Sequence, residues 1–453
     1  MKHLLRSCLT VLASIFYFAN LSAQTACLID STITYDENDN PVYKTEYSYD
    51  AQGRINGTTT YRWENNVLIG DSKTFTVFDG SGRHITDVNY LWDATRNRWI
   101  GADSTVTVYT GSNITEKTIY AWDTATDNWI GQTRYTYTYF NNNANKKTLS
   151  LEEHWSTTAN NWEGYAKTET AYDNAGRTTD NASYTWDGTA WAGTGTRTTY
   201  AYNTSGYEIE KITCSWSNGN WVNATKAVTA YDGTSTRKTE TANYTWSNND
   251  WAGTGTRTTT EYDNARETLK TTYTWSNGNW VNATKAVTAY DGTSTRKTET
   301  ANYTWSNSAW VGTGTRTTYE YDNARETLKT TYSWSNGNWV NATKAVTAYD
   351  GTSTRKTETA NYTWSNNAWV GTGTRTTYEY SNGREILKTT YSWSNGDWAY
   401  ATKAVTAYDG TSTRKTEIAN YTWDNTLNDW KGQGTRTTTT YYTNGLEIGR
   451  AHV

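Results

Sequence analysis

The chain has 453 residues, 41 Lys and Arg against 45 Asp and Glu, and a formal net charge of −4 with the two signs interleaved throughout. No single-sign field draws it to nucleic acid or anionic lipid, so neither is expected as a partner. Hydrophobic residues make up 35% of the chain and aromatic ones 15% of it (25 Trp and 37 Tyr against 5 Phe), which excludes a thick aliphatic core and favours half-exposed rings with wet hydroxyls.

At the N-terminus Lys2, His3 and Arg6 precede a mostly apolar run from Leu9 to Leu21. Leu21-Ser22-Ala23 before Gln24 then supplies the small residues of a cleavage site. Residues 1–23 therefore read as a signal peptide cleaved near Ala23, and the mature chain is expected outside the cell or on its outer surface. No later run is apolar enough for a transmembrane segment. Cys8 leaves with the signal, and Cys27 and Cys214 make no disulfide framework. Cys214 stands where other units carry Tyr244, Tyr273 and Tyr303, which marks a packing position.

Residues 24–55 read as diverged turns and strands. Within them Asp36-Glu37-Asn38-Asp39-Asn40 alternates oxygens like the start of a calcium loop. Pro41 replaces the glycine such a loop needs and Tyr47 stands where its bidentate Glu should be, so an ordinary turn is expected.

Residues 56–447 form a tandem array. Thirteen tryptophans open units at steps of 29 to 33 residues, and the other twelve follow an opening tryptophan at a distance of five or seven. The segment beginning at Ser217 recurs unchanged at Ser276 and Ser335, so the period there is a 59-residue double unit. In Trp216-Ser217-Asn218-Gly219-Asn220-Trp221 the Asn-Gly pair signals a type I′ hairpin, because both central residues need positive φ. Such a loop puts Trp216 opposite Trp221 in a non-hydrogen-bonded pair, where side chains come closest. Loops such as Trp92 to Trp99 are longer by two residues, and an even change preserves the facing.

Further along the arms, unbroken counting from Trp246 and Trp251 sets Tyr244 against Gly253, Glu240 against Arg257 and Thr236 against Glu261. Tyr231-Asp232-Gly233 and Tyr262-Asp263-Asn264 mark the opposite turns. Trp221 to Tyr231 is ten residues but Trp251 to Tyr262 is eleven, which predicts a β-bulge at Gly253-Thr254-Gly255. The fold class is all-β: a tandem-repeat antiparallel β-hairpin meander of about 26 strands, two per unit of 29–30 residues, as an extended twisted sheet or a β-solenoid. Residues 448–453, Ile-Gly-Arg-Ala-His-Val, match what a sequencing adapter encodes and are expected to be a non-native tail.

The turns Tyr49-Asp50-Ala51-Gln52-Gly53-Arg54, Phe78-Asp79-Gly80-Ser81-Gly82-Arg83 and Tyr172-Asp173-Asn174-Ala175-Gly176-Arg177 resemble the YD repeat of Rhs-like bacterial surface and toxin-shell proteins. Later turns depart from it, with no Gly before Arg266 and no Arg adjacent to Gly233. With the Trp hairpins added, the chain is similar to secreted YD-like repeat proteins of Gram-negative bacteria, often exported by type IX secretion. That resemblance implies export and no activity. A weaker likeness, to choline- and glucan-binding repeats, shares the Trp hairpin with an Asn-Gly turn but not the unit length.

For catalysis only His84 and His154 remain outside the signal and the tail, in different units, so no enzymatic role, catalytic residue, metal or cofactor is expected. Near-identical units make copy number easy to change, which suits a projecting stalk for adhesion or spacing. The alternative is a multivalent carbohydrate-binding module with surface glycans as partners. Its candidate platform comprises the pairs Trp246 and Trp251, Trp275 and Trp280, and Trp305 and Trp310, continued by Trp334 with Trp339 and Trp364 with Trp369, and flanked by Tyr244 and Tyr303. The competing reading makes the pairs clamps that hold hairpins together. Oligomeric state is left open.

Overall fold

The structure is a computed structural model that describes residues 28–441 and 447–452. The signal peptide, its cleavage site and Cys27 lie outside the described residues. Thirty strands and a single 3₁₀ turn at Phe140–Asn142 make up the described chain, and no α-helix occurs among the described residues. Alternating Thr, Tyr, Trp and Val explain this, since β-branched and aromatic side chains fit a pleated surface.

Thirteen hairpins account for 26 of the strands, from Ile55–Glu64 to Asp429–Gly432. The excess over the expected number comes from the ends. Ser31–Tyr35 and Pro41–Tyr49 already pair with each other, and Thr437–Tyr441 takes over from Asp429–Gly432 along the same neighbour, Lys415–Asp424. The backbone of Glu447–His452 then forms the last strand, against Thr437–Tyr441.

Two compact units divide the chain: residues up to Arg197 with Ser215–Trp221, and Thr198–Cys214 with Val222 onward. In the first, strands from Ser31–Tyr35 to Thr178–Trp186 pair antiparallel in chain order. In the second, the same meander runs from Asn220–Tyr231 to the last strand. Among the described residues each run is an open sheet in which no late strand pairs with an early one.

Register follows the tryptophans. Trp246 opposes Trp251 and Trp275 opposes Trp280, and the longer loops keep the rule, with Trp92 opposite Trp99 and Trp155 opposite Trp162. Trp63, which lacks a Trp partner, opposes Leu68. At the tips Asn218 (φ 48°) and Gly219 (φ 79°) are both left-handed, as a type I′ turn requires.

Below the tip the register departs from unbroken counting. Tyr244 does oppose Gly253, but Glu240 opposes Thr259 rather than Arg257. Between Asn243–Thr254 and Thr241–Thr258 the strand Asp250–Asp263 bulges by two residues, at Gly255 with φ 67°. Arg257 nevertheless reaches diagonally to Glu240, with its Nε 2.8 Å from Oε1. Thr236 precedes the strand Lys238–Ser247 and has no place opposite Glu261, which pairs with Leu269 instead.

Because the bulge adds an even number, the two faces stay distinct. One face of Lys238–Ser247 carries Trp246, Tyr244, Ala242, Glu240 and Lys238, and the other carries threonines and Asn243. Burial is thin. Ala242, Ala301 and Ala360 are each 1% exposed, Thr271 and Thr330 are buried, and no large side chain is fully buried among the described residues. Cys214, at its tyrosine position, is also buried. Stability in such an array rests on contacts between neighbouring strands, repeated many times.

Candidate functional site

Every one of the 25 tryptophans is half-buried, none open and none covered. Each hairpin's pair meets edge to face: centroids are 5.0 Å apart at 72° for Trp246–Trp251, 5.3 Å for Trp275–Trp280 and 5.1 Å for Trp305–Trp310. Trp334–Trp339 (5.2 Å) and Trp364–Trp369 (5.0 Å) repeat the geometry. This T-shape is the arrangement ring quadrupoles favour.

The indoles also reach the preceding hairpin. A Cβ placed on Gly253 would meet both Trp275 and Trp280, the latter at 2.6 Å, so the glycine, two residues past Trp251, is the seat of the next pair. Gly312 seats Trp334 and Trp339, and Gly101 seats Trp122 and Trp129. Alternate hairpins of the double unit carry Asn223, Asn282 and Asn341 at this position. In the last of them Tyr400 stands there and contacts Trp423 and Trp430, with centroids 4.9 and 5.2 Å away.

Two polar arrangements alternate with the seats. Trp280 Nε1 donates to Tyr244 Oη at 3.3 Å and Trp339 Nε1 to Tyr303 Oη at 3.2 Å. In the other half Lys226 Nζ lies 4.8 Å from the Tyr244 ring and 4.9 Å from that of Trp251, within cation–π range. Lys285 does the same to Tyr303 and Trp310. Tyr244 and Tyr303 thus bridge two hairpins each. The candidate residues are brought together on one face, as indole pairs joined in part by tyrosines; the lysines and seating glycines beside them are not legible in the sequence, because their roles depend on the neighbouring strand.

Ion pairs stand farther down the same face. Glu240–Arg257, Glu299–Arg316 and Glu358–Arg375 recur at 59-residue intervals. Hydrogen bonding to the glutamate raises each arginine's pKa.

The opposite rim is built from the Tyr-Asp turns. Asp79 Oδ1 accepts the N–H of Ser81 and of Arg83, while Arg83 Nε donates to Oδ2 at 2.7 Å. The backbone bond from Arg83, then its side-chain bond, hold the Asp79 carboxyl below its ordinary pKa. Arg83 lies 4.1 Å over the Tyr109 ring of the next turn. In later turns Arg325 donates to the Gly351 and Ser353 carbonyls, pairs with Asp322 and lies 4.7 Å over Tyr349. The tyrosines reach the other way, as Tyr321 Oη donates to the Lys297 carbonyl at 2.8 Å. Near the N-terminus Asp36 Oδ1 accepts the N–H of Asn38 and of Asn40, which makes that acidic stretch a self-capped turn.

No protein-family model matches the chain, and no curated protein matches it. Among solved structures it is similar to a DUF3836 family protein from Bacteroides vulgatus at 17% identity, over 20% of this chain and 89% of that one, with a TM-score of 0.18. A porin-like protein from Bacteroides uniformis is 12% identical over 49% of this chain and 91% of its own, with a TM-score of 0.18. The Photorhabdus luminescens Tc holotoxin pore is 11% identical over 94% of this chain and 24% of its own, with a TM-score of 0.21. These likenesses fix neither a family nor an activity.

Proposed function

We propose that the chain is a secreted, non-catalytic β-repeat spacer or adhesin of the outer cell surface. One observation carries this reading: indole pairs sit on a glycine of the preceding hairpin, as Trp275 and Trp280 do on Gly253 and Trp334 and Trp339 on Gly312. A hairpin is then completed by its immediate neighbours alone, so units add without a global core to redesign. The exact recurrence at Ser217, Ser276 and Ser335 fits a chain whose copy number changes freely. The signal-like segment at residues 1–23 and the resemblance of the turns to secreted YD-repeat proteins point to the same location. The half-covered indoles favour clamps over an open sugar platform.

Removing residues 276–334, one double unit of four strands, tests it. The expected product keeps its β circular dichroism and its tryptophan emission, and small-angle scattering finds it shorter by up to about 19 Å at ~4.8 Å per strand. Collapse of the whole array on losing one unit would end the spacer reading.

A further inference from the structure

The face opposite the indoles carries a second repeating pattern that the aromatic row does not use. Lys270, Ala286, Asn302 and Thr313 stand directly opposite one another across four consecutive strands. The row recurs one double unit later as Lys329, Ala345, Asn361 and Thr372. The alanine is low between an exposed lysine and an exposed asparagine, which leaves a shallow cleft. At the copies headed by Lys211 and by Lys388 this cleft measures 320 Å³. Beside the row a threonine pair is hydroxyl-bonded across strands, Thr272 to Thr284 at 2.6 Å and Thr331 to Thr343 at 2.5 Å, which fixes those side chains on this face.

The two faces handle charge differently. On the indole face Arg257 and Arg316 pair with glutamates, and Lys226 and Lys285 each lie against a tyrosine and a tryptophan ring. On the threonine face Lys211, Lys270, Lys329 and Lys388 are exposed, and none forms an ion pair among the described residues. Three of them have a tyrosine ring alongside, with Nζ 5.8 Å from Tyr200 and Tyr319 and 5.9 Å from Tyr378. An acidic protein therefore presents one unneutralised cation per double unit on a surface of hydroxyls and amides.

We propose that this threonine face binds an acidic polysaccharide laid across the strands. The proposal supplies a ligand for the adhesive part of the function proposed above and rests on it. Each lysine takes a uronate carboxylate as a compact point charge. Asparagine amides and threonine hydroxyls offer both donors and acceptors to sugar hydroxyls. The tyrosine beside the lysine gives a sugar ring an apolar surface. Successive lysines are four strands apart, or about 19 Å at ~4.8 Å per strand. DNA binding draws its affinity from neutralising many phosphates, which so few cations cannot do, whereas a polyuronate also offers sugar hydroxyls to the amides and threonines of this face. Each contact is weak and the polymer gains by engaging several at once.

The test uses the full chain over immobilised polygalacturonate, dextran and single-stranded DNA, read by surface plasmon resonance. Polygalacturonate should bind in a salt-sensitive way, and dextran and DNA should bind far more weakly. Replacing Lys211, Lys270, Lys329 and Lys388 together by Gln should weaken polygalacturonate binding on the order of a hundredfold, with tryptophan emission unchanged. An Asn302→Asp, Asn361→Asp variant, which sets a carboxylate into two rows without touching the lysines, should weaken it too. Absence of polygalacturonate binding, DNA binding as strong as that of polygalacturonate, or full binding by either variant overturns the proposal. A chain that shortens cleanly on loss of residues 276–334 but ignores acidic polymers keeps the spacer function and loses only this one.

Discussion

The two rims of each sheet solve one problem, attachment of a hairpin to its neighbours, by different means. The hairpin-tip rim uses ring contacts, with indole pairs seated on Gly253 or Gly312 and tyrosines bridging hairpins. The Tyr-Asp rim uses charge and hydrogen bonds, with a guanidinium that holds an aspartate, covers the next tyrosine and, at Arg325, binds carbonyls one turn on. Along the later double units both rims alternate: Gly253 and Gly312 seat indole pairs while the hairpins between them carry Asn282 and Asn341 at that position. The polar rim closes most of its turns with an Asp–Arg pair even where the loop lengths vary, as in Asp79–Arg83, Asp232–Arg237 and Asp263–Arg266. Ring packing is sensitive to the volume of one side chain, whereas a long guanidinium tolerates a shifted partner.

Volume should break the first rim without touching the second. Gly312→Ala drives a methyl into Trp334 and Trp339 and should cost about 1–3 kcal/mol, the range for overpacking. Hydrogen exchange should rise in that hairpin and its neighbours, and tryptophan emission should move to the red. Gly314→Ala is the control. Its φ is 65° with open space at Cβ, so it should lose only about 1–2 kcal/mol of left-handed strain and leave the emission alone.

Loss of charge should do the reverse. Arg325→Gln removes the donor to two carbonyls of the next turn and should cost about 1–2 kcal/mol, the scale of hydrogen bonds left unmade. Exchange should accelerate around Gly351 and Ser353, with indole emission unaltered.

The smallest effect comes from acid. A folded pKa below the unfolded value, as at Asp79, means that the stabilisation is present above the unfolded pKa of about 3.9 and is lost as pH falls through the folded value. Between pH 5 and 2, by the ordinary carboxylate range, the amides of Ser81 and Arg83 should lose protection after correction for intrinsic exchange. The hairpin of Trp275 and Trp280, whose loop Ser276-Asn277-Gly278-Asn279 carries no carboxylate, should keep its protection.

Much of this architecture was legible because strand geometry has a period of two. Any Trp pair five or seven apart must face across a short hairpin, and the positions of Asn218 and Gly219 admit one turn type. The size of the bulge near Gly255 was not legible, since a left-handed glycine accommodates either one extra residue or two. Glu240 and Arg257 were named correctly as partners for an inexact reason: they meet diagonally, through the length of the guanidinium, and not by direct opposition. The seats on Gly253 and Gly312 were hidden because they depend on the stagger between hairpins. The lysines of the threonine face were passed over because the aromatic residues dominate the composition.

The central claim is that the indole pairs are clamps between hairpins, and acrylamide quenching of the full chain's tryptophan fluorescence tests it most directly. All 25 indoles are half-buried, so the emission should lie to the blue of free indole and quenching should be partial and nearly uniform, rising to the free value only on unfolding. Emission and quenching already equal to those of free indole in the folded protein would mean that the pairs stand open to solvent, and the clamp account would be wrong.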